Sequence, residues 1–132
     1  MAYWFNPAKN APATKLSCSI RIKVSPDSDA GIARGTATVT ISADEINFTK
    51  SLTASIPSVG IGESVTVKVG EVALPEAPVD KIDKPIEFTA TLSGEVTSTT
   101  GLRYTLVSKA PAKLTLIPKK AELEVEVEVV VE

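Results

Sequence analysis

The chain has 132 residues, of which 43% are hydrophobic and 23% charged, and this composition fits one folded domain better than a disordered or membrane-spanning chain. Fourteen Lys and Arg residues against sixteen Asp and Glu leave a formal net charge of −2, so no basic excess favours a nucleic acid or an anionic membrane surface. His is absent and Cys occurs once, which removes the commonest general base, intrachain disulfides and thiolate zinc sites. We therefore expect no catalytic, cofactor-binding or metal-binding residues.

The first residues of the chain carry half of its six aromatic side chains, at Tyr3, Trp4 and Phe5. With two X-Pro pairs close behind, residues 1–15 are predicted to form an extended N-terminal arm ahead of a domain at residues 16–132. The arm either folds over an open end of its own domain or docks on a neighbouring subunit. Adjacent residues of an extended chain point in opposite directions, which favours the neighbour. On that interpretation, removal of residues 1–14 leaves a folded domain with weakened self-association.

Alternation of apolar and polar residues is the main signal in the rest of the chain. It is strictest in residues 16–24, where Leu16, Cys18 and Ile20 share one face with the next two apolar positions. Similar segments, separated by turn-forming residues, lie at 36–42, 46–56, 65–69, 86–96, 102–106, 114–117 and 122–132. Val, Ile and Thr supply 39 of the 132 residues, which favours strands throughout. The pattern of about eight strands predicts an all-β, antiparallel two-sheet sandwich of the jelly-roll or immunoglobulin-like type.

Three smaller features refine this prediction. Lys50 interrupts the apolar face of residues 46–56, which predicts a bulge or a break in that strand. Three prolines in residues 71–85 predict a long crossover loop, because proline cannot donate to a β-ladder. Cys18 shares the apolar face of its strand and is predicted to be a small core residue and not a nucleophile.

The last segment, residues 122–132, alternates for eleven residues without a turn former. Its apolar face carries Leu123, Val125, Val127, Val129 and Val131. Its other face carries Glu122, Glu124, Glu126, Glu128, Val130 and Glu132. Such a row of carboxylates repels itself unless cations lie opposite, and Arg21 with Lys23, or Lys68 with Arg103, are the candidates.

Two interpretations of this segment remain open. It is either a solvated outer face that blocks edge aggregation, or a strand that completes a sheet in the next subunit. In the second case the first strand of the domain is an equivalent candidate. The predicted assembly interface combines both ends of the chain and consists of Tyr3, Trp4, Phe5, Leu123, Val125, Val127, Val129 and Val131.

Three stretches, Leu16–Val24, Gly35–Ile41 and Ile56–Val67, carry a resemblance. Together they resemble immunoglobulin-like adhesion and cell-surface modules over residues 16–69. The last stretch is similar to the Pro/Gly turn and Ser-Val-Thr-Val edge of such repeats, including CARDB-type modules. The resemblance implies a β-sandwich, although the Cys…Trp…Cys core pattern of the family is absent. The sandwich of LEA14-like desiccation proteins is a weaker likeness.

These features predict a non-enzymatic structural subunit of a viral capsid, turret or extracellular filament. Its partners are predicted to be copies of itself or other subunits of the assembly, with no nucleic acid and no membrane span. Gln is absent and Asn, Cys and Met are scarce, which favours a thermophilic and archaeal source.

The predicted assembly role implies a virion or extracellular location. No signal peptide precedes the first strand, so export would need another route such as virion release, and a cytoplasmic location stays open. The alternative function is a monomeric or dimeric immunoglobulin-like module that contacts a protein or glycan through its loops. A small hydrolase is a third class, disfavoured by the lack of His.

Overall fold

A computed structural model describes residues 1–107, 110–121 and 129–130. The strands in this part of the chain are β1 Ala2–Asn6, β2 Ala11–Ala13, β3 Lys15–Lys23, β4 Ile32–Ala43, β5 Phe48–Ile56, β6 Ser64–Ala73, β7 Ile86–Ser98, β8 Arg103–Val107 and β9 Ala112–Lys120. Short 3-10 helices occupy Asp44–Ile46 and Val79–Lys81. The prediction of an all-β, antiparallel fold is confirmed. Within the described residues, no helix has the length and apolar character needed to span a bilayer.

The strands form two antiparallel sheets of unequal width. The larger has the order β2-β1-β9-β7-β4-β5, and the smaller contains β3 and β6. Strand β7 pairs with β4 along one edge. On its other edge it pairs first with β9, through Ile86–Ala90, and then with β8, through Ser93–Thr97. The chain passes from the larger to the smaller sheet between β2 and β3 and again between β5 and β6, and the last two strands lie close together.

The core lies between the two sheets. Three aromatic rings form its centre, with Phe88 meeting Trp4 at 5.4 Å and Phe48 at 5.8 Å between ring centroids, both edge to face. This is the geometry that the quadrupoles of aromatic rings prefer. The aliphatic side chains buried around these rings are Val39, Ile41, Val72, Ile86 and Leu116.

The N-terminal residues belong to this domain, which corrects the prediction of a separate arm. Trp4 is 3% exposed, and its indole Nε1 donates a hydrogen bond to the carbonyl oxygen of Pro75 at 2.7 Å. Strand β1 pairs with β9, where Trp4 lies opposite Pro118, and also with β2. The three consecutive aromatics are therefore explained by ordinary strand alternation, with Trp4 facing the core and Tyr3 and Phe5 on the other face.

Two local predictions also differ from the structure. The β4–β5 ladder runs without a shift, and Lys50 reaches solvent because β5 is the last strand of its sheet. Register shifts lie elsewhere: in the β4–β7 ladder between Ile32 and Arg34, and in the smaller sheet, where β3 pairs Cys18 with Gly70 and Ser19 with Lys68. Val69 is the extra residue on β6, so β3 itself keeps its strict alternation. The predicted crossover loop is shorter than residues 71–85, since β6 continues to Ala73.

Candidate functional site

Of the eight residues predicted to form the assembly interface, the structure describes four. Trp4 is a core residue, whereas Tyr3 is 38% exposed and Phe5 half-buried. Val129 is described and 79% exposed. The remaining positions lie outside the described residues: Leu123, Val125, Val127 and Val131. No described contact joins the two ends of the predicted interface, so the site must be built from other residues.

The edge of β3 is the first feature of such a site. Across the described residues, β3 pairs with β6 on one side and has no strand on the other. An unpaired edge presents a row of backbone N–H and C=O groups to any extended chain that meets it. The edge is nine residues long, and the extra residue at the register shift of this sheet lies on β6. It can therefore accept a strand of similar length.

A cleft between the two sheets runs beside this edge. Strand β3 forms one wall, residues 110–114 form the other, and inward side chains of β4 and β7 form the floor. The cleft is mainly apolar, and its lining includes Cys18, Ile20, Ile41, Phe88, Ala90 and Leu114. Apolar surface of this kind gains free energy when it is covered, at about 25 cal/mol per Å².

The burial of β3 shows that the smaller sheet covers the core incompletely. All four inward side chains of β3 are half-buried: Leu16, Cys18, Ile20 and Ile22. On β4, in the larger sheet, the inward side chains from Ala37 to Ala43 are fully buried. Two strands spaced about 4.8 Å apart cannot cover the wider sheet that faces them. Within the described residues, the inward side chains of β3 therefore stay partly open to solvent.

The outer face of the smaller sheet is positively charged. Strand β3 exposes Lys15, Arg21 and Lys23, and β6 adds Lys68 and Glu71. Lys15 forms an ion pair with Glu71 at 3.1 Å. Among the described residues, no ion pair involves Arg21, Lys23 or Lys68. The edge of β3 therefore offers an anionic strand two cations on its solvent side.

The sole cysteine lies on the inward face of this edge. Cys18 is half-buried in the wall of the cleft, and burial raises the pKa of its thiol. A raised pKa keeps the thiol protonated and poorly nucleophilic, which agrees with its prediction as a core residue. Within the described part of the chain, no group of three or more His, Cys, Asp and Glu side chains is placed to hold a metal ion.

A second exposed feature lies at one end of the sandwich. Leu102 and Tyr104, 58% and 53% exposed, border a depression of mixed polar and apolar lining beside the turn at residues 25–31. Ser98 holds the neighbouring turn, because its Oγ accepts hydrogen bonds from the backbone N–H groups of Thr100 and Leu102. The turn at residues 25–31 is held by Ser25 in the same way, through the N–H of Asp27.

Comparisons of the chain with protein families, with curated proteins and with solved structures find no match in any of the three. The site is therefore interpreted from its own chemistry.

The sequence indicates the first and last strands of the domain as candidates for pairing with a neighbour, but not the edge and cleft of this site, because an unpaired edge has no signature of its own. The alternation in β3 predicts a strand with one covered face, but it does not show which strands lie beside it. The one available signal in the sequence is the opposite charge on the polar faces of two long alternating segments, residues 16–24 and 122–132.

Proposed function

We propose that this protein is a non-enzymatic structural subunit that assembles with copies of itself, or with related subunits, by strand addition. The observation that supports it is the β3 edge, which has no second strand within the described residues and lies beside an apolar cleft. An exposed and regular strand edge is an aggregation hazard, and natural sheets normally protect it with bulges, prolines or a covering segment. Here the bulge lies on the opposite strand, so the edge is left suited to a partner.

The proposed setting is a virion surface or an extracellular filament of a thermophilic, archaeal source. The composition supports the thermophilic source, since Gln is absent and Asn, Met and Cys are scarce, and these are the residues that high temperature damages first. Repeated strand addition gives a head-to-tail contact, which closes into a ring or continues as a filament. Every backbone hydrogen bond made at the edge is then repeated at each subunit of the assembly.

The test is a mass measurement on the full chain. Light scattering coupled to size exclusion, over at least a hundredfold range of concentration, should show species larger than the 13.9 kDa subunit. Electron microscopy of the same fractions distinguishes rings from filaments. A sharp monomer at every concentration would refute the proposal.

A second candidate function is a monomeric or dimeric binding module that contacts a protein or glycan through its loops. The exposed pair Leu102 and Tyr104, next to hydroxyl and carboxylate groups of residues 25–31, favours this alternative. Aromatic rings beside polar groups suit such contacts, because they supply large contact area at low entropic cost. Substitution of Tyr104 by Ala should then abolish ligand capture on a glycan array and leave the mass of the protein unchanged.

A further inference from the structure

The proposed assembly role leaves open which strand completes the smaller sheet. We propose that the β3 cleft of one copy receives residues 122–132 of a neighbouring copy as an added strand. This inference rests on the proposed function and deepens it, by naming both the acceptor edge and the donor segment.

The alternation of the segment matches the two sides of the cleft. A strand beside β3 presents every second side chain to the core, next to Leu16, Cys18 and Ile20, and the others to solvent. Residues 122–132 supply five aliphatic side chains at alternate positions, as this arrangement requires. Eleven extended residues span about 36 Å, and the nine residues of β3 span about 30 Å, so the segment reaches along the whole edge.

The charges of the two strands are complementary. With the aliphatic side chains turned inward, the glutamates of the segment lie on the same face as Arg21 and Lys23. Cross-strand pairs of opposite charge stabilise a sheet, and they relieve the repulsion within the glutamate row. The pairing therefore accounts for two features at once: an acidic strand that repels itself, and cations that form no ion pair within the described residues.

The end of β9 indicates that the donor comes from another copy. The backbone N–H of Ala121 donates to the carbonyl oxygen of Met1 at 2.9 Å, so β9 stays paired with β1 to its last residue. Leu114 lines the cleft at the other end of this strand, about 23 Å away along the extended chain. Residues 122–132 contain no Gly, Pro, Asn, Asp or Ser with which to reverse direction. Val129 and Val130, the described residues of this segment, are 79% and 72% exposed and therefore do not fill the cleft of their own chain.

Disulfide scanning against the native cysteine tests the pairing directly. Cys18 is the only cysteine of the chain, so a second one introduced at Val125, Val127 or Val129 can form a disulfide with Cys18 of a neighbouring copy. Directly opposed residues of neighbouring strands bring Cα atoms within about 4.5–5.5 Å, the range in which disulfides form. Mild oxidation of assembled protein should give intermolecular ladders on non-reducing gels for at least one of these apolar positions. The matched controls Glu124→Cys, Glu126→Cys and Glu128→Cys face solvent and should give no more than the wild-type background.

A matched pair of full-length variants tests the same inference without oxidation. Val127→Glu places a charge in the apolar cleft, whereas Val130→Glu only completes the glutamate row on the polar face. Light scattering should show assembly lost in Val127→Glu and kept in Val130→Glu, with unchanged circular dichroism in both. Reversal of Arg21 and Lys23 to Glu should weaken assembly by on the order of tenfold at low salt.

The outcomes separate this inference from the proposed function. Crosslinks within a single chain, in a monomeric protein, would mean that the segment fills the cleft of its own chain. This inference and the proposed assembly role would then both fail. Assemblies that form without crosslinks at the apolar positions, or with crosslinks at the glutamate positions, would overturn the named donor while the assembly role stands. Equal assembly of Val127→Glu and Val130→Glu in light scattering would also overturn the named donor.

Discussion

Replacement of Trp4 by Ala tests whether the N-terminal strands are part of the core. The indole is 3% exposed, meets Phe88 edge to face at 5.4 Å and donates a 2.7 Å hydrogen bond to the carbonyl of Pro75. Truncation of a buried aromatic to Ala costs about 3–5 kcal/mol of the free energy of unfolding. Domains of this size have about 5–15 kcal/mol in total, so the variant should lose about a fifth or more of its stability.

The assay is guanidinium unfolding of the full chain, followed by far-ultraviolet circular dichroism because Trp4 is the only tryptophan. Trp4→Phe keeps a ring against Phe88 but leaves the Pro75 carbonyl without its donor, so it should cost about 1–3 kcal/mol. The control is Tyr3→Ala on the opposite face of β1, expected to cost no more than about 1 kcal/mol.

Equal unfolding midpoints for Trp4→Ala and Tyr3→Ala would refute the placement of β1 in the core. The same reasoning reverses an expectation drawn from the sequence. Deletion of residues 1–14 removes β1 and β2 together with Trp4, and it should unfold the domain instead of leaving a soluble sandwich.

Three further predictions follow from the fold and composition. Gly94→Ala should destabilise strongly, because a Cβ there would lie 2.3 Å from the carbonyl oxygen of Thr36; thermal unfolding should place it well below Gly101→Ala, whose Cβ meets nothing within 4 Å. Burial raises the pKa of the Cys18 thiol, so the unfolded chain loses this proton first and stability should fall as the pH rises above about 8.5. Denaturant titrations between pH 8 and 10 should show that the free energy of unfolding falls less steeply with pH for Cys18→Ala than for the wild type. Identical slopes would contradict the burial of the Cys18 thiol. If the composition reflects a thermophilic source, calorimetry should give a melting temperature above about 90 °C for the assembled protein.

Local patterns in the sequence determined much of the fold. Strand β3 was predictable almost to the residue, because one covered face imposes period-two alternation on its side chains. Long strands such as β7 were visible for the same reason. Strands β1 and β2 were not, since they are short and flanked by prolines, and their three consecutive aromatics suggested an arm. Whether Trp4 faced its own core or a neighbour depended on β9, more than a hundred residues along the chain.

The candidate site was decided by tertiary structure alone. Alternation shows that a strand has one buried and one solvated face, but backbone pairing at its edges carries no side-chain signature. Nothing in residues 15–23 reveals that β3 pairs on one side within the described residues, or that Cys18 lines a cleft. Those properties arise because, among the described residues, one sheet has seven strands and the other two, a mismatch in width that exists only once the sheets are assembled.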